Sequence, residues 1–522
     1  MHRCLLSDDI LSRIIDFIVP LTSSLNPRTS GYRDGHLQGT LSSLARTCRT
    51  LSEPSLRRLW REMLSLTPLF ALISYGSQAA TQSLQECLPS SEQQYWARLR
   101  YYACHIHCLT ISDREEDWHI STDALAILAA SSSPLLPHLQ SLDWSCRDLA
   151  QHIHFLLSSS VTKLALSIEH LLPSGVSTSP DAHNAFSLIV QQCPLVTELT
   201  IRTDLSSPLN LDIPNHPSQF SELLALRSLT LCPRIASFVT LSQIGILPRL
   251  QQLAIDLTSC SFQPEFLERL LFHRVEQLEV ACRSNTTILI AFLDAFQPIN
   301  VTHLTIRCDS GGDSSEIARL HECLSRFTSL TRLLYIDTCI PINPIASSVF
   351  SPLSSLQSLV ELWIVNDNLR GDDSLITFVA MAFPSLQRLY LHWHESTNSP
   401  QVTLMGLQPL AMRCTSLRSL TLPSVLTDAT FNGVPAHGRL RQSACALSQL
   451  HIGRARAADP EYITSILSNY FPRLRVIHTS GGAGYGVRSD DDYSGWEKVE
   501  RLLRSHSEVG SMSSSKVEPN SK

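Results

Sequence analysis

The sequence predicts an α/β chain in which a short all-α module precedes a curved solenoid of strand–helix repeats built on a parallel sheet. Three observations carry this expectation. The chain has 522 residues, too many for one compact core, so several domains or an elongated repeat array are expected. A spaced apolar triplet recurs through most of its length. Several triplets follow a helical pattern that ends on an aromatic or a cysteine, as in "NAFSLIVQQCP", "SLITFVAMAFP" and "YITSILSNYFP".

The composition, 43% hydrophobic and 17% charged, is that of an ordinary soluble protein. A net charge of −6 is small for this size, which argues against nucleic acid and against a polybasic membrane surface as partners. Fifteen cysteines are scattered singly from Cys4 to Cys445. That usage implies reduced core thiols, hence cytoplasmic and/or nuclear residence. Asp8 and Asp9 interrupt the first apolar run, so no secretory signal is expected. No apolar stretch approaches the ~18 residues of a membrane span.

The N-terminal elements follow from caps and breakers. Asp8 or Asp9 can cap a helix carrying Ile10, Leu11, Ile14, Ile15, Phe17 and Ile18, which stops at Pro20. Residues 20–40 are rich in turn formers and read as a loop. Thr40 is placed to cap a second helix bearing Leu41, Leu44, Ala45 and Cys48. The sequence "LSEPSL" then interrupts the pattern: Ser52 caps a third helix, Pro54 falls in its first turn, and Leu51 with Leu56 forms a staple across the start. A fourth helix, "TPLFALISYG", opens on Thr67-Pro68 and closes on Gly76. Residues 1–76 therefore form the module, and residues 77–104 form a linker with a bridging helix, "SEQQYWARLRYYA".

Residues 105–480 hold the repeats. The unit is an apolar residue followed by two more at +3 and +5. It appears as "HLQSLDW", "VTKLAL", "VTELTI", "LRSLTL", "LQQLAI", "VEQLEV", "VTHLTI", "LTRLLY", "LVELWI", "LQRLYL", "LRSLTL" and "LSQLHI". Weaker copies begin at Ile106 and Leu474. These 368 residues in thirteen intervals give about 28 per repeat, inside the ~20–29 range of leucine-rich repeats. About 12–14 degenerate repeats are expected, each burying its apolar face against neighbours. At about 4.8 Å per strand the sheet would be roughly 60 Å long, a surface suited to a protein partner. Residues 481–505 read as a loop and a capping helix, "SGWEKVERLLRS", and residues 506–522 as a disordered tail.

Taken together, "CLLSDDILSRIIDFI" and "LSSLARTCRTLSEPSLRRLW" resemble an F-box. The bridging "WARLRYYA" is similar to the corresponding helix of leucine-rich-repeat F-box proteins of the fungal type. The resemblance covers about residues 1–480. It implies an F-box that binds a Skp-type adaptor and through it a cullin, with the repeats binding a protein substrate. The chain would then be a non-catalytic, substrate-recognition subunit of an SCF-type ubiquitin ligase, without a cofactor. By the same resemblance the adaptor-binding residues are Leu5, Leu6, Ile10, Ile14, Leu44, Pro54 and Leu56. The chain departs from the family pattern at Ser7, where a proline is usual, and at Leu51, where an aromatic is usual. Physically, three short helices cannot supply a stable core unaided and need a partner or the neighbouring bridge. The alternative is a leucine-rich scaffold whose F-box-like module is not coupled to ubiquitination.

Between the last two apolar positions of a repeat the side chain faces outward, because strand side chains alternate. Most repeats place Thr, Ala, Asp or Glu there, but three consecutive ones carry Leu334, Trp363 and Tyr390. Arg332, Glu361 and Arg388 lie two positions earlier, and His392 lies two after Tyr390. An apolar row inside a charged rim is the composition of an interface hot spot, so these seven residues are the candidate substrate-binding patch.

Other motifs read as structural. "CHIHC" at Cys104–Cys108 has zinc-ligand residue types, but alternation on a strand would point its cysteines and histidines to opposite faces. "GGAGYG" at 481–486 lacks the following strand that a nucleotide fold needs. "HWHE" at His392–Glu395 does not have metalloprotease spacing, and Asp490–Asp492 suit the N-terminus of the helix that follows.

Overall fold

The computed structural model describes residues 7–18, 35–74, 92–112, 134–145, 150–167, 189–202, 222–231, 241, 243–258, 272–283, 285–297, 299–309, 314–338, 345–367, 369–393, 402–427, 443–454, 457, 459–479 and 495–505. The chain divides into two compact units. One is Met1–Ile235 with Leu247–Leu250; the other is Ala236–Ile246 with Gln251–Lys522.

The first unit opens with helices α1 (Asp8–Ile18), α2 (Gly35–Thr47) and α3 (Arg49–Trp60). The carbonyl of Ser7 accepts the Leu11 N–H at 3.1 Å and closes the first turn of α1. Helix α2 begins five residues before the expected cap, so Thr40 lies inside it and its start lies within the expected 20–40 loop. The break between α2 and α3 is Cys48 alone, in extended conformation at φ −155°, ψ 158°. It does not fall at Ser52. The Cys48 carbonyl accepts the N–H groups of Leu51 (3.2 Å) and Ser52 (3.0 Å), which starts the helix four residues early. Pro54 is thereby inside α3, where it lacks the N–H that would have met the Thr50 carbonyl. Leu51 and Leu56 lie along one helix and do not staple its start.

Helix α4 (Thr67–Ser74) begins where Thr67 N–H donates to Ser65 Oγ at 3.0 Å, and α5 (Glu92–Ala103) follows the expected bridge. Between α3 and α4 lies a strand the sequence did not announce, β1 (Glu62–Met63), paired in parallel with β2 (Cys108–Ser112). Two residues are too few for a period-2 pattern to register. The Arg61 carbonyl accepts the N–H groups of both His107 and Cys108, each at 2.9 Å. The helical module thus contributes the first strand of the repeat sheet. Strands β3 (Ser141–Ser145), β4 (Lys163–Ser167), β5 (Glu198–Arg202) and β6 (Ser228–Leu231) continue it in parallel and in chain order.

The second unit holds β7 (Gln252–Asp256), β8 (Gln277–Cys282), β9 (His303–Cys308), β10 (Arg332–Asp337) and β11 (Glu361–Asn366). It continues with β12 (Arg388–His392), β13 (Ser419–Ser424), β14 (Gln449–Arg454) and β15 (Val476–Thr479). All are parallel neighbours in chain order. Helices Thr286–Ala295, Ser314–Leu324, Asp373–Ala382, Gln408–Arg413 and Pro460–Tyr470, with a 3-10 stretch at Ser347–Ser355, make the return connections. Asn285, Asp372 and Asp459 cap three of these helices through side-chain oxygens that accept backbone N–H groups.

Strands β2 to β15 coincide with the fourteen sequence repeats. The triplet residues are buried in every repeat but the last, where Thr479 is half-buried; Leu330, Leu333 and Tyr335 illustrate the rule at 0%, 0% and 2% exposure. Each such side chain stabilises the fold by about 1.5–3 kcal/mol. The aromatic or cysteine that ends each helical pattern is also core: Cys193, Phe327, Phe383, Cys414 and Phe471 are buried. Phe272, Phe296 and Phe327 stack from repeat to repeat with centroids 5.0 and 6.1 Å apart. Helix 495–505 buries Trp496, Val499 and Leu503 at helical spacing, in the place of the expected cap. The nine described cysteines are free thiols, six of them buried. Among the described residues no helix is long and apolar enough to cross a membrane.

Candidate functional site

Two surfaces of the described residues, one in each unit, gather the residues expected to bind partners. In the first unit, α1 is amphipathic in two directions. Leu11 and Ile15 are 3% and 1% exposed and face inward, Ile15 joining Leu41 and Leu59 in a small core. Ile10, Ile14 and Phe17, spaced four and three residues apart, form a second stripe roughly a third of the way round the helix, at 40%, 40% and 88% exposure. Of the expected adaptor-binding residues, Ile10 and Ile14 therefore lie on an open face. Leu44 and Leu56 are half-buried, and Pro54 is buried within α3. Leu5 and Leu6 lie outside the described residues, as do residues 20–34, Gly481–Gly486, Asp490–Asp492 and the tail. Phe17, absent from the expected adaptor-binding set, belongs to the same face, and its helical spacing from Ile10 and Ile14 is the sequence signal for it.

Polar contacts hold the module in place. Arg58, with its side chain 8% exposed, reaches Asp16 of α1 at 3.6 Å and Glu62 of β1 at 3.4 Å. Glu53 of α3 accepts from the Tyr101 hydroxyl of α5, pairs with Arg57 at 2.9 Å and faces His105 Nε2 at 3.6 Å. Burial pushes the Glu53 carboxyl up, but the hydrogen bonds from Tyr101 and Arg57 outweigh it and leave the group below the usual range. Its hydrogen bond to Glu53, with burial, raises the Tyr101 phenol to about 12. Trp60 packs on Tyr102 with ring centroids 4.7 Å apart. The end of α3 is thus tied to α5, and α5 leads into the first repeat.

The "CHIHC" residues do not alternate along a strand as the sequence suggested. Hydrogen bonds from the N–H groups of Cys104, His105 and Ile106 to Arg100, Tyr102 and Ala103 prolong the helix end, so the strand starts only at Cys108. Among the described residues no group of three or more His, Cys, Asp or Glu side chains is placed to hold a metal ion.

In the second unit the register of β10, β11 and β12 brings the other candidate residues together. Leu334 pairs with Trp363 and Trp363 with Tyr390; Arg332 pairs with Glu361 and Glu361 with Arg388; Val365 pairs with His392. Leu333 and Tyr335 are the inward pair, so Leu334 and Ile336 face outward. Trp363 and Tyr390 are stacked at 4.8 Å with 14° between planes. Arg388 Nη1 lies 2.8 Å from Glu361 Oε1. Arg332 Nε approaches Oε2 at 3.1 Å as an ion pair outside hydrogen-bond geometry, since Oε2 accepts no hydrogen bond. The Glu361 side chain is 16% exposed and the two arginines 46% and 60%. The Trp363 Nε1–H is buried and donates to nothing among the described residues. His392 is exposed at the end of β12, whereas the adjacent Trp393 is core.

No protein-family model matches the chain, and no curated protein matches it. Solved structures do. A chain of the mouse RP105/MD-1 complex matches at 17% identity and TM-score 0.42, over 77% of this chain and 63% of the other. The Rad7 and Elc1 complex of yeast matches at 16% identity and TM-score 0.36, over 67% and 88% respectively. A leucine-rich-repeat protein of Leptospira interrogans matches at 13% identity and TM-score 0.31, over 74% and 92%. The chain thus spans somewhat less than two thirds of the first of these.

Proposed function

We propose that this chain is a substrate-recognition subunit of an SCF-type cullin ubiquitin ligase. In this reading α1–α3 dock a Skp-type adaptor, which connects to the cullin, and the repeats bind a protein substrate. The chain itself is non-catalytic: it positions the substrate, and the conjugating enzyme supplies the chemistry. The observation that carries the reading is the outward stripe Ile10–Ile14–Phe17 on α1, a helix whose inward face already closes the small core of the module. An apolar stripe on the outer face of a three-helix module suits a helical or groove-like partner. Tethering of the module to the first strands of its own unit through β1 and the Glu53–Tyr101 contact suits the same role, because it orders the docking helices on the repeats that follow them.

Co-expression with a Skp-family adaptor tests this. Wild type co-purifies with the adaptor, and the Ile10→Ala/Ile14→Ala/Phe17→Ala variant does not, while retaining its folded circular dichroism spectrum. Substrate accumulation on cullin inhibition separates this role from that of an uncoupled scaffold. If wild type and the triple variant behave alike, α1 is not the docking face.

A further inference from the structure

We propose that the outward face of β10–β12 binds an extended peptide segment in which a bulky apolar side chain is followed or preceded by one carboxylate. This rests on the substrate-receptor reading and names the substrate chemistry.

Size sets the first limit. The outward apolar residues are Leu334 and Ile336 on β10, Trp363 and Val365 on β11, and Tyr390 on β12. Three strands spaced about 4.8 Å apart, with successive outward positions about 6.8 Å apart along each, make a patch of roughly 10 by 7 Å. That area takes one large side chain and its neighbours, not the face of a domain. The stacked Trp363 and Tyr390 rings offer a flat apolar surface to an aliphatic, prolyl or aromatic side chain.

The polar edge of the indole takes no part in the patch. The Trp363 Nε1–H is buried and has no partner among the described residues, and an unpaired buried donor costs about 1–3 kcal/mol. Being buried, that donor is closed to a peptide on the sheet face, so the ring contributes apolar contact alone.

Charge chooses the flanks. On the outward positions of β8–β12, the guanidiniums of Arg307, Arg332 and Arg388 face the carboxylates of Glu279 and Glu361. Arg307 is paired with Glu279 at 3.2 Å, so two arginines share Glu361. The excess positive charge is local to the Arg332–Glu361–Arg388 end of the apolar row; Asp367 follows Val365 at the other end, where His392 is exposed. One carboxylate from the peptide balances that excess. A phosphate dianion would over-compensate and sit against Glu361, so the arrangement favours aspartate or glutamate over a phosphorylated residue.

The test is panning of a phage library of random dodecapeptides on the full chain without adaptor, counter-selected on the Trp363→Ala/Tyr390→Ala variant. Enriched peptides should combine an apolar residue with nearby Asp or Glu. A synthetic winner should bind the double variant at least about ten-fold more weakly. Trp363→Phe, which shrinks the stacked surface, should weaken binding by less than the double variant does, and Arg388→Ala should abolish the preference for acid over amide side chains. Each variant is checked for an unchanged urea midpoint and unchanged adaptor co-purification, so failure here is distinct from failure of adaptor docking. Absence of enrichment, enrichment of basic peptides, or equal capture by the double variant overturns the proposal. A phosphoserine replacement that tightens binding more than about ten-fold would assign the patch to phosphate and also overturn it.

Discussion

His321 should make the second unit lose stability as pH falls from neutral, by an amount its surroundings set. The side chain lies on helix Ser314–Leu324 at 1% exposure, between Tyr335 and Phe350, with ring centroids 5.7 and 4.6 Å away. Its Nδ1 bonds the Val349 carbonyl at 2.9 Å, and Nε2 has no partner among the described residues. Protonation would therefore bury a cation with one uncompensated N–H. Burial lowers the imidazole from 6.5 to about 4, with the Val349 carbonyl opposing part of the shift. Above pH 6.5 both the folded and unfolded chains hold the neutral ring, and nothing is lost. Below it only the unfolded chain binds the proton, so stability falls until the folded ring titrates near pH 4. At ~1.4 kcal/mol per pH unit the loss is about 2 kcal/mol at pH 5 and about 3 kcal/mol once the folded ring also titrates. Urea unfolding of wild type and His321→Gln at pH 7.5 and pH 5 isolates this group, because other titrations are common to both proteins. The variant is the less stable at pH 7.5, and the gap narrows by about 2 kcal/mol at pH 5. An equal gap at the two pH values would refute the buried neutral imidazole.

Further outcomes follow from single contacts. Glu361→Gln leaves Arg332 and Arg388 facing each other without the carboxylate; it should cost about 1 kcal/mol in urea unfolding, and the cost should shrink in ~1 M salt. A salt-independent cost would mean that packing, not charge, holds the row. Gly406→Ala would drive a Cβ into Asp373 Oδ1, whose carboxylate holds Thr403 N at 2.7 Å and Thr403 Oγ1 at 2.8 Å. Losing those bonds should cost about 2–3 kcal/mol, and a thermal midpoint equal to wild type would contradict the packing. Leu389→Ala, at a 1% exposed triplet position, should cost about 2–5 kcal/mol by the same unfolding assay. A cost below about 1 kcal/mol would place Leu389 outside a packed core.

The repeats were legible because their signal is periodic and redundant. A triplet such as Leu330–Leu333–Tyr335 is dictated by strand alternation and by burial against both neighbours, and it recurs often enough to survive degenerate spacing. The outward row was legible for the same reason: once the inward pair is fixed, Leu334, Trp363 and Tyr390 must share a face. What could not be read was how tightly their charges combine, since the sharing of Glu361 between two arginines depends on register across three strands. The N-terminal module was read less well. Its boundaries rest on single hydrogen bonds: the Cys48 carbonyl closes a turn ahead of Ser52, and α2 starts before the Thr40 cap. Strand β1 is two residues long and is defined by its partner β2, a long-range pairing that no local pattern encodes.

Docking through α1 is tested most directly by the affinity of the full chain for a Skp-type adaptor. Phe17 is 88% exposed and Ile10 and Ile14 are each 40% exposed. Covering what remains open is worth about 2 kcal/mol for the phenylalanine and about 1 kcal/mol for each isoleucine. Removing all three side chains should therefore weaken binding about 1,000-fold. Titration calorimetry should show a tight wild-type complex and one weakened to that extent in Ile10→Ala/Ile14→Ala/Phe17→Ala. A wild-type chain that does not bind the adaptor, or a triple variant that binds as tightly, would contradict it.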